Sequence, residues 1–289
     1  MSHKISFIIN PISGNGKQKA LIPYIRQYLN SQFKVDFLMT KAPKHATELA
    51  QKAALSSTAV IAVGGDGSVN EVAQGLLNSN VLMGIVPMGS GNGLARHLNI
   101  PLKLENAIAL INKLEYKTID AIKINNSLSM NVSGIGFDAF VADRFAKSGK
   151  RGFNTYIKET LKAYRHYKAN LFKIETSQGI IESKALLVSL ANSSQFGNNA
   201  YIAPNASVTD GLIDLVILSP FSVLQAPSVG IRLLQKQVDK SRFVQIIQTK
   251  KVTIESETNF HLHIDGEPMG EMKSIEAEII PQAIKMICS

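Results

Sequence analysis

Two glycine-rich turns, each placed between an apolar segment and a helical pattern, constrain the fold of this chain more than any other feature of its sequence. The first, Gly-Gly-Asp-Gly at 64–67, follows the continuous apolar run Ala59–Val63, and the second, Gly-Ser-Gly-Asn-Gly at 89–93, follows Met83–Val86. A continuous apolar strand is typical of a parallel sheet with both faces covered. Repeated strand, turn and helix units therefore predict a parallel α/β sheet that binds ligands at the C-terminal ends of its strands.

Beyond about Asp120 the pattern changes. Segments such as Leu171–Thr176, Ile180–Ser189 and Leu212–Leu218 are short, β-branched and partly alternating, which is typical of an antiparallel sandwich or barrel. A length of 289 residues suits either one large domain or two smaller ones, and two domains are our working prediction. The predicted organisation is an α/β domain over 1–122, with the tail 280–289 as a candidate to return to it, and a β-rich domain over 123–279.

The glycine turns have the chemistry of a phosphate site. Glycine lacks a Cβ, so its backbone can approach an anion closely, and the following helix directs free N–H groups and its positive dipole end at that anion. The end of the first apolar segment adds Asn10, small residues and Lys17. For the first turn alone, an ordinary strand-to-helix turn capped by Asp66 or Ser68 is the alternative. Two such turns at neighbouring strand ends favour one anion-binding rim, although neither matches a Walker A loop or a dinucleotide fingerprint.

Four motifs follow one another along the chain. They are Asn-Pro-x-Ser-Gly at 10–14, Gly-Gly-Asp-Gly-Ser-x-Asn-Glu-Val at 64–72, Pro-x-Gly-Ser-Gly-Asn-Gly-Leu-Ala-Arg at 87–96 and Ile-Asp-Gly-Glu-Pro at 264–268. In this order they resemble the diacylglycerol kinase catalytic-domain family, which includes bacterial lipid kinases and sphingosine kinases. The resemblance implies an ATP-dependent kinase with an α/β nucleotide-binding domain like that of NAD kinase and phosphofructokinase, followed by a β-rich sandwich domain that binds lipid.

The resemblance implies nucleotide contacts at several strand ends. Residues 65–70 would line the ATP phosphates, and Asp66 would be the acid linked to Mg-ATP. Thr40 would also contact the nucleotide, although a helix cap after a strand is an equally open interpretation of this threonine. The full set implied to contact ATP is Asn10, Ser13, Gly14, Thr40, Gly64, Gly65, Asp66, Gly67, Ser68, Val69, Asn70, Glu71, Gly89, Ser90, Gly91 and Asn92.

The last motif contributes two acids, Asp265 and Glu267. Phosphoryl transfer to an alcohol needs an acceptor for the hydroxyl proton, and a carboxylate within hydrogen-bond reach can serve. As a bare tripeptide, Asp-Gly-Glu is an ordinary hairpin turn, and only its place in the family pattern indicates a catalytic role. We assign the general base to this pair, with Glu267 favoured over Asp265.

A structural divalent metal is implied around Asp210. In the family pattern its carboxylate binds the cation together with two backbone carbonyls, here those of Ser207 and Leu212, and such oxygen ligands suit Mg²⁺ or Ca²⁺. A plain Asp-Gly hairpin turn is the alternative. Nearby, Asp214 alternates with apolar residues, which predicts an outward position on a strand.

The formal net charge of +9 is concentrated in one segment. Between Arg144 and Lys168 lie eight basic residues and one acid, Glu159, which implies an anionic partner. No nucleic-acid module is present, and the nearby aromatic residues follow one helical stripe within Phe153–Tyr167, so we expect no nucleic acid. Since the motifs imply a lipid substrate, an anionic membrane surface is the favoured partner, and a solvated helix face is the alternative.

The apolar segments, the N-terminus and the cysteine content limit the cellular locations that the sequence allows. The longest apolar segment, Leu215–Ile231, has 17 residues and two prolines, whereas a spanning helix needs about 20 apolar residues. The N-terminus has no secretory apolar region, and the single Cys288 cannot form an intramolecular disulfide. The period-2 spacing of His261 and His263 predicts two strand residues on one face and not a zinc site. We therefore expect a cytoplasmic protein, peripheral to the inner face of the membrane.

The sequence does not identify the molecule that accepts the phosphoryl group. Gly93 stands where many bacterial members of the family have an acid, and sphingosine kinases also lack that acid. Diacylglycerol or a related lipid is favoured, while a sphingoid base and a soluble acceptor, as in NAD kinase, are the alternatives. A homodimer formed through an exposed sheet edge of the second domain also stays open.

Overall fold

The chain divides into two compact units. The computed structural model describes residues 3–11, 21–147, 160, 163–164 and 167–289, with the backbone alone described for 145–147. One unit consists of Met1–Asp120 and Pro281–Ser289, and the other of Ala121–Ile280. The chain thus crosses between units after residues 120 and 280, and the first crossing lies where the sequence pattern changes near Asp120.

The first unit is a parallel sheet with helices packed against it. Its four strands lie in the order β4-β3-β1-β2, and the end of β14 pairs with β4 through Lys285 and Met286. All six residues of β3 are buried, as expected for a continuous apolar strand inside a parallel sheet. The elements are β1 (Lys4–Ile9), α1 (Leu21–Tyr28), β2 (Lys34–Met39), α2 (His45–Ala54), β3 (Ala59–Gly64), α3 (Asp66–Leu76), β4 (Leu82–Pro87), α4 (Gly93–His97) and α5 (Leu104–Ile111). Strand β14 (Glu267–Ile287) begins in the second unit, and its last residues, from Pro281 on, belong to the first.

The second unit is built mainly from antiparallel strands. One series of neighbouring strands runs β12-β11-β10-β7-β13-β14, and the β8–β9 hairpin joins it through the pairing of β8 with β13. The strands are β5 (Tyr116–Ile124), β6 (Ser127–Ser129), β7 (Val132–Gly136), β8 (Asn170–Thr176), β9 (Gly179–Ala185), β10 (Leu187–Ala191), β11 (Ile213–Leu218), β12 (Val244–Thr249) and β13 (Lys251–Ile264). Its described helices include α6 (Phe137–Lys147) and α7 (Ala226–Leu234), with 3₁₀ turns at Val223–Gln225 and Val238–Lys240.

Alternation along the strands explains the layers of the second unit. Phe172 and Ile174 of β8 point into one apolar core, where the rings of Phe172 and Phe260 meet edge to face with centroids 5.5 Å apart. On β11, Leu215 belongs to that core, whereas Val216 packs into a separate apolar cluster. Both faces of β11 are therefore covered, and all six of its residues are buried.

Several boundaries differ from those predicted. The run Ile180–Ser189, predicted as one strand, forms two, β9 and β10, because the backbone of Leu186 leaves the hairpin to pair with Leu218 and Phe137. The segments from Lys251 to Ile264 join into the single long strand β13, which has irregular register between Glu255 and Phe260. Most of the helical pattern Phe153–Tyr167 lies outside the described residues.

Candidate active site

Three strand ends of the first unit lie side by side. Because β1, β3 and β4 are parallel neighbours, their C-terminal ends meet at one edge of the sheet. The Asn10 amide donates to Ser68 Oγ at 3.2 Å, and the Met88 N–H donates to the Gly64 carbonyl at 2.8 Å. The segments that follow these strands therefore form one rim, which we call the glycine rim; it comprises Asn10, residues 64–68 and residues 89–93.

The two glycine turns touch through their backbones. A Cβ on Gly65 would lie 3.1 Å from the Cα of Gly89, and a Cβ on Gly89 would lie 2.6 Å from the Cα of Gly65. A Cβ on Gly64 would meet Ser68 Oγ at 2.5 Å. None of these three glycines has a positive φ. The turns therefore need glycine for close approach and not for an unusual backbone conformation.

The N-terminus of α3 opens at this rim. Its N-cap is Gly65 in an extended conformation, so neither Asp66 nor Ser68 occupies the N-cap position. The Asp66 carboxylate instead accepts a hydrogen bond from the Gly93 N–H at 2.8 Å, which ties the first turn to the start of α4. The N-terminus of an 11-residue helix, with its first-turn N–H groups and the positive end of its dipole, is a favourable site for a phosphate.

Asn92 shapes the second turn. It has a φ of 51°, its Oδ1 accepts from the Gly89 N–H at 2.9 Å, and its Nδ2 donates to the Gly89 carbonyl at 2.8 Å. Arg96 Nε adds a bond to the Gly91 carbonyl at 3.1 Å. Because the buried amide of Asn92 holds the turn, the exposed Ser90 is the side chain of this turn that remains accessible to a ligand.

Other residues of the implied nucleotide set have packing and capping contacts. Glu71 accepts from the N–H groups of Lys44 and Ala46 at 2.9 and 3.1 Å, at the start of α2. Val69 is 4% exposed and Asn70 8% exposed. The side chains of this part of α3 thus hold the helices in place beside the sheet.

Thr40 follows β2, where its N–H donates to the Ile9 carbonyl at 2.9 Å. This bond puts Thr40 beside the end of β1. The residue at the N-cap of α2 is Lys44, and the N–H groups at the start of that helix donate to Glu71, so Thr40 does not cap it. Ser13, Gly14 and Lys17 lie outside the described residues.

The two acids of the last motif occupy a hairpin turn in the second unit. Asp265 and Gly266, with φ values of 49° and 92°, join β13 to β14 in a two-residue turn of the kind that needs two positive φ angles. The Asp265 carboxylate is buried; Oδ1 accepts from Ser129 Oγ at 2.7 Å and from the Asn131 N–H at 3.0 Å, and Oδ2 accepts from the Met130 N–H at 2.8 Å. Asp265 therefore anchors the turn to the β6–β7 connection.

Glu267 has the opposite environment. Its side chain is exposed, and it makes no hydrogen bond or ion pair with any residue that the structure describes. Of the two acids, Glu267 has free lone pairs for a proton, whereas those of Asp265 already accept hydrogen bonds. Residue types alone do not show which acid is buried, so the sequence favours Glu267 only slightly.

Asp214 corrects one expectation. The predicted outward residue is 4% exposed, because β11 is covered on both faces and Asp214 lies on the same side of the strand as Val216. Its Oδ1 accepts from Gln248 Nε2 at 3.4 Å, and its Oδ2 has no hydrogen-bond partner among the described residues. Burial, and secondarily the negative charge of Asp210, raise the pKa of Asp214 to about 6.

The predicted metal ligands lie immediately before this strand. Asp210 is exposed, and its Oδ1 accepts from the Leu212 N–H at 3.0 Å. Across the described ranges, no three His, Cys, Asp or Glu side chains cluster as metal ligands, so a cation here would depend on backbone oxygens such as those of Ser207 and Leu212. Carboxylate and carbonyl oxygens are the ligands that a hard divalent cation prefers, so the predicted metal site at Asp210 stays a prediction.

His261 and His263 are not equivalent. His261 lies 3.4 Å from Glu271, whereas His263 is 3% exposed and lies beside a buried carboxylate, that of Asp138. A register shift separates Leu262 from His263 in the pairing of β13 with β14. Asp138 lies 125 residues from His263 along the chain, so no local sequence pattern pairs the two.

Two family models match the chain. Residues 4–124 match the diacylglycerol kinase catalytic domain, and residues 131–288 match the YegS C-terminal NAD kinase β-sandwich-like domain. A Yersinia pestis protein named probable lipid kinase YegS-like is 27% identical, over 99% of this chain and 96% of its own length. An uncharacterized Synechocystis protein is 25% identical, over 96% of this chain and 69% of its own length. A crystal structure of a Bacillus anthracis protein assigned as a diacylglycerol kinase shares 25% identity, covers 99% of this chain and 95% of its own, and superposes with a TM-score of 0.82.

Proposed function

This chain belongs to the diacylglycerol kinase catalytic-domain family, and from that membership we propose that it is an ATP-dependent lipid kinase. It would transfer the γ-phosphate of ATP to a hydroxyl of diacylglycerol or a related lipid. The observation that carries the proposal is the glycine rim, where two turns in backbone contact lie at the N-terminus of α3, whose N-cap is Gly65. This arrangement suits a polyphosphate, since the N–H groups of a first helical turn and the helix dipole both favour negative charge.

Each group of the rim has a task in this proposal. The N–H groups at the start of α3 bind phosphate oxygens, and Gly65 and Gly89 allow the backbone to come close. Ser90 adds an exposed hydroxyl. Asp66 is the acid that would hold Mg²⁺, and bound Mg²⁺ would neutralise charge on the phosphates.

The acceptor side is assigned to the turn at 265–267. Glu267 accepts the hydroxyl proton of the lipid while the hydroxyl oxygen bonds to the γ-phosphorus and the bond to ADP breaks. The products are ADP, the lipid phosphate and a proton, which Glu267 then releases to water. Asp265 keeps the turn in shape through the three hydrogen bonds of its carboxylate.

A peripheral contact with an anionic membrane, at the inner face of the cytoplasmic membrane, is part of the proposal. Most of the basic segment Arg144–Lys168 lies outside the described residues, but α7 and the preceding 3₁₀ turn offer a second reason. Their outward side, which we call the α7 apolar face, consists of Leu224, Ile231 and Leu234, which are 92%, 54% and 56% exposed. Basic residues accompany it in the sequence, namely Arg232, Lys236, Lys240 and Arg242. Exposed apolar side chains with basic neighbours favour an anionic bilayer surface.

The decisive experiment is an acceptor screen. Purified protein is incubated with labelled ATP and Mg²⁺ in mixed micelles that contain dioleoylglycerol, monoacylglycerol, ceramide or sphingosine, and in a parallel reaction with NAD. We expect label in one of the lipids and, with the Glu267→Gln variant as control, almost none. Label in NAD alone would favour the soluble acceptor instead, and label in no acceptor would contradict the kinase proposal.

A further inference from the structure

A buried histidine and a buried aspartate lie beside the turn that precedes Glu267. His263 Nδ1 is 3.2 Å from the Gly266 backbone nitrogen, and His263 Nε2 is 3.2 Å from Asp138 Oδ2. His263 is 3% exposed and Asp138 is 8% exposed. The pair therefore connects α6 to the second residue of the hairpin turn through groups shielded from water.

The hydrogen bonds define the state of the imidazole. A backbone N–H can only donate, so His263 Nδ1 is the acceptor for Gly266 and carries no proton. The ring proton of a neutral imidazole is then on Nε2, which donates to Asp138 Oδ2. Asp138 Oδ1 in turn accepts from the Ala139 N–H at 2.8 Å, and Ser189 Oγ lies 3.4 Å from Oδ2. One tautomer of His263 satisfies both of its partners.

The neighbouring strand leaves room for this pair. Gly134 of β7 is paired with His263 of β13. A Cβ on Gly134 would lie 2.4 Å from Asp138 Oδ2 and 3.2 Å from His263 Nε2. A buried polar pair is costly unless its groups are hydrogen-bonded, and a fully bonded one specifies a single geometry.

We propose that His263 and Asp138 are positioning residues that hold the Gly266 N–H and thereby set the direction of the Glu267 carboxylate. The inference rests on the function proposed above. Asp265 is held through its side chain by Ser129 and the residues after it, whereas Gly266 has no side chain and depends on His263. A general base must lie within hydrogen-bond reach of its proton, and a displacement of about 1 Å can cost about 100-fold in rate.

Two substitutions of His263 each keep one of its two hydrogen bonds and remove the other. His263→Asn retains an oxygen in place of Nδ1 and can still accept from Gly266. His263→Gln retains a nitrogen in place of Nε2 and can still donate to Asp138, but it offers nothing to Gly266. We expect His263→Gln to lower kcat by about 10- to 100-fold with the KM for ATP changed by less than about twofold, and His263→Asn to stay within about threefold of the wild type.

Asp138→Asn tests the other partner. The new amide has one oxygen and one NH₂ group, whereas both neighbours, His263 Nε2–H and the Ala139 N–H, are donors. One of these two donors must therefore face the NH₂ group, so the tautomer of His263 that accepts from Gly266 is disfavoured. We expect a loss of kcat like that of His263→Gln. His261→Gln, two residues earlier on the same strand and half-buried beside Glu271, is the matched control and should retain wild-type kcat.

Hydrogen exchange at the Gly266 amide gives a readout that needs no activity. We expect this amide to exchange at least about tenfold faster in His263→Gln and Asp138→Asn, and at the wild-type rate in His263→Asn. The values of kcat and KM are measured with ATP and dioleoylglycerol, or with the acceptor that the screen selects. Thermal unfolding is recorded for every variant. Equal exchange and equal kcat in His263→Asn and His263→Gln, or kcat losses that simply follow the melting temperature, would overturn the inference. If the wild type phosphorylates no acceptor, the proposed function fails, while the Gly266 exchange still decides whether His263 and Asp138 hold the turn.

Discussion

Asp265 and Glu267 are separated by one glycine, yet their carboxylates have different surroundings. The first is buried under three hydrogen bonds, and the second is exposed without a partner in the described ranges. The cause is the two-residue turn, which directs one side chain to the β6–β7 connection and the other to solvent. One acid can therefore maintain structure while the other exchanges a proton.

Substitution of Glu267 should lower activity, whereas substitution of Asp265 should lower stability. Glu267→Gln removes the proton acceptor from an exposed position, so we expect kcat to fall by about 10²- to 10⁴-fold with an unchanged melting temperature. Asp265→Asn replaces an acceptor oxygen with a donor that faces an N–H, so we expect a stability loss of about 1–3 kcal/mol. Steady-state kinetics and thermal unfolding measure the two effects. A fully active Glu267→Gln variant would remove Glu267 as the base.

Asp214 should make stability depend on pH. Its folded pKa, about 6, is above the ordinary value, so the folded state holds this proton more tightly than the unfolded state does. The resulting stabilisation is fully present below about pH 4 and is lost as the pH rises through 6. We expect Asp214→Asn, which mimics the protonated acid, to be about 1–2 kcal/mol more stable than the wild type at pH 7.5 and equal to it at pH 4, in buffer with EDTA. Urea unfolding at the two pH values checks this, and equal stabilities at pH 7.5 would refute it.

At the scale of elements, the glycine rim depends on backbone contact between two turns. A Cβ at residue 89 would enter the space of the Gly65 backbone at 2.6 Å, so the turns would have to separate. We expect Gly89→Ala to raise the KM for ATP by about tenfold or more, because the N–H groups at the start of α3 would no longer face the phosphates as they do now. Gly230→Ala in α7 is the control, since its Cβ meets nothing within 4 Å. A helical Gly→Ala change of this kind should add about 0.5–1 kcal/mol of stability and leave KM unchanged.

The α7 apolar face gives a second prediction at this scale. Its inward residue Val229 is 3% exposed and packs in the core, so the helix has apolar residues on two sides. Because the chain has no tryptophan, Leu224→Trp introduces a single tryptophan, whose emission reports on the outward side alone. We expect its emission to shift to the blue on vesicles of phosphatidylcholine and phosphatidylglycerol, and the added substitution Ile231→Ser to weaken that shift.

Leu55→Trp, at a position that is 88% exposed in the first unit, is the matched control for this measurement. Its emission should not change when vesicles are added. A blue shift of the Leu224→Trp variant that grows with protein concentration and needs no vesicles would indicate a second copy of the chain as the partner. No helix among the residues described is long and apolar enough to cross a bilayer.

At the scale of the whole molecule, ligands that bind only the folded chain should raise its stability. Bound Mg²⁺ at the Asp210 site would relieve the repulsion between Asp210 and Asp214. We therefore expect Mg²⁺ without nucleotide to raise the melting temperature of the wild type but not of Asp210→Asn. Mg-ATP at 100 times its Kd should add about 2.7 kcal/mol to both proteins, because the glycine rim is intact in both. An equal response of the two proteins to Mg²⁺ alone would exclude Asp210 as a ligand.

Much of the architecture follows from local patterns. The apolar run Ala59–Val63 with its glycine turn predicts a buried parallel strand, and β3 and the start of α3 lie there. The change of pattern near Asp120 and the family resemblance predict a β-rich second half, which both the strands and the family model for residues 131–288 confirm. Such predictions succeed because periodicity and turn chemistry depend on residues that are adjacent in the chain.

The sequence by itself therefore determined the fold class, the family and the strand ends that form the glycine rim. Only the tertiary structure decided which polar residues face solvent and which are buried. Asp214 has the alternation of an outward residue and is buried, Glu71 lies in a nucleotide motif and caps α2, and His263 meets Asp138 from 125 residues away. Burial and pairing depend on what the rest of the chain packs against a residue, and no local pattern contains that information.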